Sequence, residues 1–222
     1  MKKAIGVTLV VAALTLGTSG AAVGAIIDFT GGIATLGDGT TVTTTNTNVW
    51  HNVDYYVESG FKLDFVGDNG IIGDYYGGNN SVIHGHWGSG NYGTLTSVVV
   101  SKVDATAFDL NYFILTSNTD TGGGAASGNE QTIITASNGF SQLLPTDDWG
   151  FAGTNPQIFL GNNFDNITSF TFTAANVVDC FGMDNFYIDE PAPRVPVPGS
   201  FLLTGIGLAG LARFRKRREQ LA

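Results

Sequence analysis

Phe61-Lys62-Leu63-Asp64-Phe65-Val66 is the segment that indicates the fold most directly, because an aromatic or aliphatic side chain occupies every second position. This period of two is typical of a half-buried β-strand, in which successive side chains point to opposite faces. The same alternation recurs at 169–173 and at 186–189. The pattern therefore predicts a chain built from strands that bury one face each.

Turn-forming residues separate the predicted strands. Clusters of Gly, Asn and Asp occur at 67–70, 77–80 and 161–163, and these residue types favour tight turns. No stretch between residues 26 and 190 shows a helical period with capping residues. About ten short strands joined by such turns predict an all-β fold, an antiparallel β-sandwich of the jelly-roll type.

The two ends of the chain have a different character from this central region. Lys2 and Lys3 precede an apolar run at 4–16 and then a stretch of small residues, which is typical of a secretory signal peptide cleaved after Ala25. We therefore divide the chain into a signal peptide at 1–25 and a β-sandwich ectodomain at 26–190. A Pro-rich spacer at 191–200 and an apolar helix with a basic end at 201–222 follow.

The apolar segment at 201–212 is short for a membrane span. As a helix it measures roughly 18 Å at about 1.5 Å per residue, against a hydrocarbon core of about 30 Å. A basic cluster that should remain cytoplasmic follows it. Its members are Arg213, Arg215, Lys216, Arg217 and Arg218. We expect a marginal membrane helix, with everything upstream of it outside the cytoplasm.

The motif Val195-Pro196-Val197-Pro198, the short apolar helix and the Arg-rich end together resemble the PEP-CTERM sorting signal of Gram-negative bacteria. In that family a Val-Pro-Glu-Pro-like motif precedes the helix, and here Val197 stands where Glu is usual. The resemblance implies processing by an exosortase-type enzyme at the inner membrane. It also implies that the protein passes through an inner-membrane intermediate to the cell surface or extracellular matrix. An ordinary tail anchor is the alternative.

Parts of the central region resemble, more loosely, the β-sandwich found in many PEP-CTERM proteins. The segments concerned are 27–29, 56–61, 108–110 and 181–186. This resemblance implies a jelly roll akin to carbohydrate-binding modules, without an assigned activity.

Charge excludes one class of partner. Between residues 26 and 193 only Lys62 and Lys102 are basic, whereas 18 of the 19 acidic residues of the chain lie there, a formal net charge of −16. Nucleic-acid binding depends on Lys and Arg that neutralise phosphates. The acidic central region is therefore not a nucleic-acid-binding domain, and its carboxylates suit divalent cations instead.

The sequence does not predict an enzyme. Asp147-Asp148 is the most suggestive pair of carboxylates, and Trp149 beside it could stack on a sugar. Adjacent side chains on a strand point to opposite faces, however, so a turn explains the pair better. Motifs of serine hydrolases and zinc proteases are absent. Cys180, the single cysteine, is expected to pack as a small apolar residue.

Two metal hypotheses arise. His84 and His86 lie at positions i and i+2, so on a strand they share a face and could contribute to a zinc site whose third ligand the spacing does not identify. The alternative is a pair of polar residues beside a packed Trp87. Asp184 shares the parity of Phe186, which predicts an inward carboxylate, and calcium held with Asp28 would compensate its charge. The alternative is a carboxylate capped by backbone N–H groups.

Two functional classes remain open. The first is a non-catalytic exported protein with a structural or adhesive role. The second is a carbohydrate-binding module that recognises exopolysaccharide, with Trp87 and Trp149 as the candidate stacking rings. Aromatic side chains that line an exposed groove would favour the second class, and burial of the same side chains would favour the first.

Overall fold

The computed structural model describes residues 24–67, 70–75, 81–88, 93–120, 124–175 and 178–189. Almost all of the predicted signal peptide lies outside these ranges, as do the spacer, the sorting motif, the apolar helix and the basic cluster. Among the described residues, no helix has the length and apolar character needed to span a membrane.

The described ranges are all-β, as the alternation of apolar side chains predicts. Their strands are β1 (Ala25–Ile27), β2 (Ile33–Leu36), β3 (Thr41–Thr43), β4 (Val49–Glu58), β5 (Phe61–Val66), β6 (Gly70–Gly73), β7 (Val82–His86), β8 (Ser97–Lys102), β9 (Leu110–Thr119), β10 (Thr132–Ala136), β11 (Ser141–Leu143), β12 (Gln157–Phe159), β13 (Ser169–Ala174) and β14 (Cys180–Ile188). Two short 3-10 turns, Gly150–Ala152 and Asn162–Phe164, interrupt them. The three strands predicted from period-two alternation are therefore confirmed as β5, β13 and the end of β14.

The strands form one continuous sheet, and the pairs between them are antiparallel. The order across the sheet is β11-β10-β13-β8-β5-β4-β6-β7-β14-β9-β12, with β2 joined to β4, β3 joined to β2, and β1 joined to β14. Strands distant in the chain therefore become neighbours, and β14 lies between β7 and β9.

The sheet curls over itself to enclose an aromatic core. The Phe172 ring of β13 lies 5.4 Å from Phe113 of β9 and 5.1 Å from Phe181 of β14, measured between centroids. These strands are far apart in the order across the sheet, so only a curled sheet can bring their faces together. Phe170, Phe172 and Phe186 have no exposed surface, and burial of aromatic side chains of this size supplies much of the stability of such a fold.

Both ends of the described chain reach the same end of the fold. Ala25 of β1 pairs with Ile188 of β14, shortly before the predicted spacer at 191–200. Cys180 begins β14 at the opposite end of the strand, roughly 25 Å away at about 3.3 Å per residue. We call the end that carries Cys180 the distal end.

Candidate functional site

A cluster of His84, His86 and Cys180 lies on the outer face of the sheet at the distal end. The two histidines lie two residues apart on β7, which confirms that they share a face. In the β7–β14 ladder, Cys180 lies opposite His86 and Gly182 lies opposite His84. Gly182, which has no side chain, is therefore the neighbour of His84 on β14.

The donor atoms of this cluster are close together. One ligand atom from each of the three residues lies within 4.8 Å of the other two. Cys180 Sγ and His86 Nδ1 are separated by 3.5 Å. His84 and Cys180 are almost completely buried, and His86 is half-buried. The arrangement thus has one side open to solvent.

A buried carboxylate adjoins the cluster. Asp179 precedes Cys180 and is 1% exposed, and its Oδ1 lies 3.6 Å from Nδ1 of His86. Its backbone position is fixed on both sides, because its carbonyl accepts from the N–H of Trp87 and its own N–H donates to the carbonyl of Thr119. The backbone of Asp179 is therefore fixed beside the cluster.

Two aromatic side chains cover His84. Tyr75 stacks on its imidazole with centroids 4.7 Å apart and an interplanar angle of 25°, and Trp149 meets it edge-on at 4.9 Å. Burial, with a smaller contribution from the charge of His86, holds the pKa of His84 well below its usual range. Burial of His84 thus favours the neutral form of its imidazole.

The carboxylates of Asp147 and Asp148 hold the loop that carries Trp149. Asp147 Oδ1 accepts from the N–H of Thr154 at 2.8 Å and from its Oγ1 at 2.9 Å. Asp148 Oδ1 accepts from the N–H of Ala126 at 2.7 Å. Each carboxylate thus satisfies backbone groups of a loop, which agrees with the turn predicted for this pair.

Sequence reasoning found the histidine pair but not the third donor. Cys180 was expected to be a packed apolar residue, and it is buried, yet its sulfur faces the histidines. It lies 94 positions after His86, so no local spacing connects them. The only signal is the β7–β14 register, which becomes visible with the three-dimensional structure.

The two tryptophans predicted to stack on glycans are placed differently from that prediction. Trp87 is 1% exposed and packs on Phe181 with centroids 5.2 Å apart, so it presents no ring face to a ligand. Trp149 is half-buried against His84. The stacking role predicted for Trp87 is therefore wrong, because the position belongs to the core.

One exposed and two half-buried rings occur instead on the outer face near the β1 end of β14. Phe159, Tyr112 and Tyr187 lie side by side on β12, β9 and β14. Tyr112 stacks on Tyr187 with centroids 4.0 Å apart and on Phe159 at 5.2 Å, and Phe159 is 63% exposed. We call these three residues the aromatic ladder.

Asp184 does not point into the core, so the inward orientation predicted from its parity is wrong. A β-bulge lies between Asp184 and Phe186, and Asn185 at the bulge has φ +38°. The extra residue reverses the alternation, so that Asp184 lies beside Ile114 on the outer face while Phe186 stays inside.

The carboxylate of Asp184 is capped by a backbone N–H group, which is the alternative to calcium binding given in the sequence analysis. Its Oδ1 accepts from the N–H of Asn185 at 2.8 Å. Burial raises the pKa of Asp184 to about 6, and the charge of Asp28 adds to the rise. Asp28 itself is exposed, and its Oδ1 accepts from the N–H of Thr30 at 3.0 Å. The two carboxylates influence each other, and calcium binding between them stays a prediction.

Comparison of the chain with protein-family models, with curated proteins and with solved structures finds no match. The described residues define its class as an all-β antiparallel domain with a buried His/Cys cluster at one end.

Proposed function

We propose that this chain is an exported, non-catalytic protein whose β domain is delivered to the envelope or extracellular matrix, where it has a structural or adhesive role. The observation that carries the proposal is the order of the segments at 195–218, a Pro-containing motif, an apolar segment and a basic cluster, together with the signal peptide at 1–25. The exosortase-type enzyme and the inner membrane are the partners that this order implies.

The layout of the domain supports this proposal. Because Ile26, the first residue after the predicted cleavage point, pairs with Tyr187, the start of the ectodomain and the spacer that leads to the membrane segment lie at one end of the domain. The distal end is then directed away from the membrane. The curled sheet with its enclosed aromatic core also supports the finer fold assignment, a β-sandwich of the jelly-roll type.

We expect removal of residues 201–222 to release the domain from the membrane fraction into the periplasm or medium. The physical reason is that this segment carries the only strongly apolar run after the β domain. Cell fractionation followed by immunoblotting measures the distribution. An unchanged distribution after the deletion would contradict the sorting proposal.

A paired substitution of Pro196 and Pro198 by Ala separates the sorting signal from an ordinary tail anchor. An exosortase substrate should accumulate at its unprocessed size in the inner membrane, whereas a tail anchor should behave as the unchanged chain does. Val197→Glu is the matched control, because it restores the residue usual in the family and should leave processing intact or faster.

The aromatic ladder favours a second function, binding of exopolysaccharide. Flat rings in a row beside polar groups are the usual means of holding a sugar chain. Gln157 and Asp184 lie next to the ladder on the same face, since both pair with Ile114 in the flanking strands. The ladder therefore combines apolar ring faces with a hydrogen-bond donor and an acceptor.

For this second function we expect the full chain, purified in detergent, to be retained on an insoluble polysaccharide and Phe159→Ala to reduce that retention. Phe159 is 63% exposed, so its replacement should change stability by less than about 0.5 kcal/mol. Leu143→Ala is the matched control, because Leu143 is also exposed but lies on β11, which does not pair with β9, β12 or β14. Equal retention of both variants would remove the case for a glycan site.

A further inference from the structure

We propose that His84, His86 and Cys180 bind a divalent transition-metal ion of the zinc type at the distal end of the domain. This goes beyond the proposed function, because neither sorting nor adhesion requires a metal. The donor set comprises two imidazole nitrogens and one thiolate sulfur, a combination typical of zinc sites.

The geometry matches a tetrahedral site. Bonds of about 2.0–2.1 Å to nitrogen and about 2.3 Å to sulfur place the ligands of one ion roughly 3.3–3.8 Å apart. The separation of 3.5 Å between Cys180 Sγ and His86 Nδ1 already lies in this range. The remaining separations, within 4.8 Å, shorten to it by small rotations of the His86 and Cys180 side chains.

The charges around the cluster also favour a divalent cation. A thiolate at Cys180 and the carboxylate of Asp179 together balance two positive charges in a buried setting. Asp179 Oδ1 lies 3.6 Å from His86 Nδ1, the same nitrogen that faces Cys180 Sγ, so this carboxylate is placed to complete the coordination as a fourth ligand. Burial of the ion is thereby compensated electrostatically.

The surroundings select a transition metal rather than calcium or magnesium. Hard cations take oxygen ligands, whereas nitrogen and sulfur donors suit zinc and its neighbours in the first transition series. Tyr75 and Trp149 cover His84 and hold its ring in place. Because these contacts already restrict the His84 side chain, it loses less conformational freedom when the metal binds.

Titration with Co²⁺, a spectroscopic substitute for Zn²⁺, tests the site on the full chain purified in detergent and stripped with a chelator. Cys180 is the only cysteine, so any thiolate-to-cobalt charge-transfer band must arise from it. We expect one Co²⁺ per chain with such a band, its displacement by Zn²⁺, and a rise in Tm with Zn²⁺ because the ion binds the native state.

Variants assign the ligands. Cys180→Ser should abolish the charge-transfer band, and His86→Ala should weaken Co²⁺ binding at least ten-fold. His86 is half-buried, so the His86→Ala chain should fold even if the chain altered at Cys180 does not. His51→Ala is the control for loss of an imidazole, since His51 is exposed and meets only the edge of Tyr75, with centroids 6.0 Å apart, and it should keep the charge-transfer band and bind one Co²⁺ per chain. Absence of the band in the folded unchanged chain, or full affinity in His86→Ala, would overturn the proposal.

Discussion

Replacement of Phe186 by Ala is expected to destabilise the domain by about 3–5 kcal/mol, the usual cost of truncating a buried aromatic side chain. Phe186 has no exposed surface and lies where the curled sheet meets itself. Its ring contacts four others, those of Phe29, Phe113, Phe170 and Phe172. The cavity left by alanine would therefore face several strands at once. Denaturant unfolding followed by circular dichroism measures the change in the free energy of unfolding.

Phe159→Ala is the control for this prediction. It removes the same number of atoms from an exposed position on β12, so the free energy of unfolding should change by less than about 0.5 kcal/mol. Similar losses in the two variants would show that Phe186 does not occupy the centre of the core. The sheet would then not close over itself as described.

The fold class could be predicted because it depends on local pattern. Alternation along β5 places Phe61, Leu63 and Phe65 on one face, and the strand buries those three residues as expected. Where the alternation breaks, prediction failed for a physical reason. The extra residue at Asn185 is compatible with many sequences, and only the register between β14 and β9 shows that it reverses the direction of Asp184.

The candidate site depends on contacts between distant parts of the chain, so less of it could be predicted. His84 and His86 belong to one strand, and their common face follows from the strand period alone. Cys180 and Asp179 join them through a strand pairing that spans the domain. The exposure of an aromatic side chain also depends on contacts between distant parts of the chain. Trp87 and Phe159 are both aromatic residues in strand-rich regions, but only Phe159 faces solvent.

Replacement of Gly73 by Ala is the second change with a large expected effect, a loss of about 2–3 kcal/mol in the free energy of unfolding. Gly73 has φ +112°, which is unfavourable for residues with a Cβ by about 1–2 kcal/mol. A Cβ there would also collide with the carbonyl oxygen of Asn48, which accepts from the N–H of Asp74 at 3.0 Å. The pairing of β4 with β6 must shift to relieve the collision, at the further cost of about 1 kcal/mol for a disturbed hydrogen bond.

Gly39→Ala separates the two contributions. Gly39 has φ +85°, but no neighbouring atom lies within 4 Å of the point that an alanine Cβ would occupy, so only the conformational cost of about 1–2 kcal/mol should appear. Gly73 also precedes Tyr75, which stacks on His84 and meets Trp149 at 5.6 Å. Gly73→Ala should therefore weaken the near-ultraviolet circular dichroism of this aromatic group, and Gly39→Ala should leave it unchanged. Equal losses of stability in the two variants would mean that the collision with Asn48 is relieved without cost. An unchanged near-ultraviolet signal in Gly73→Ala would mean that Gly73 does not fix the position of Tyr75 over His84.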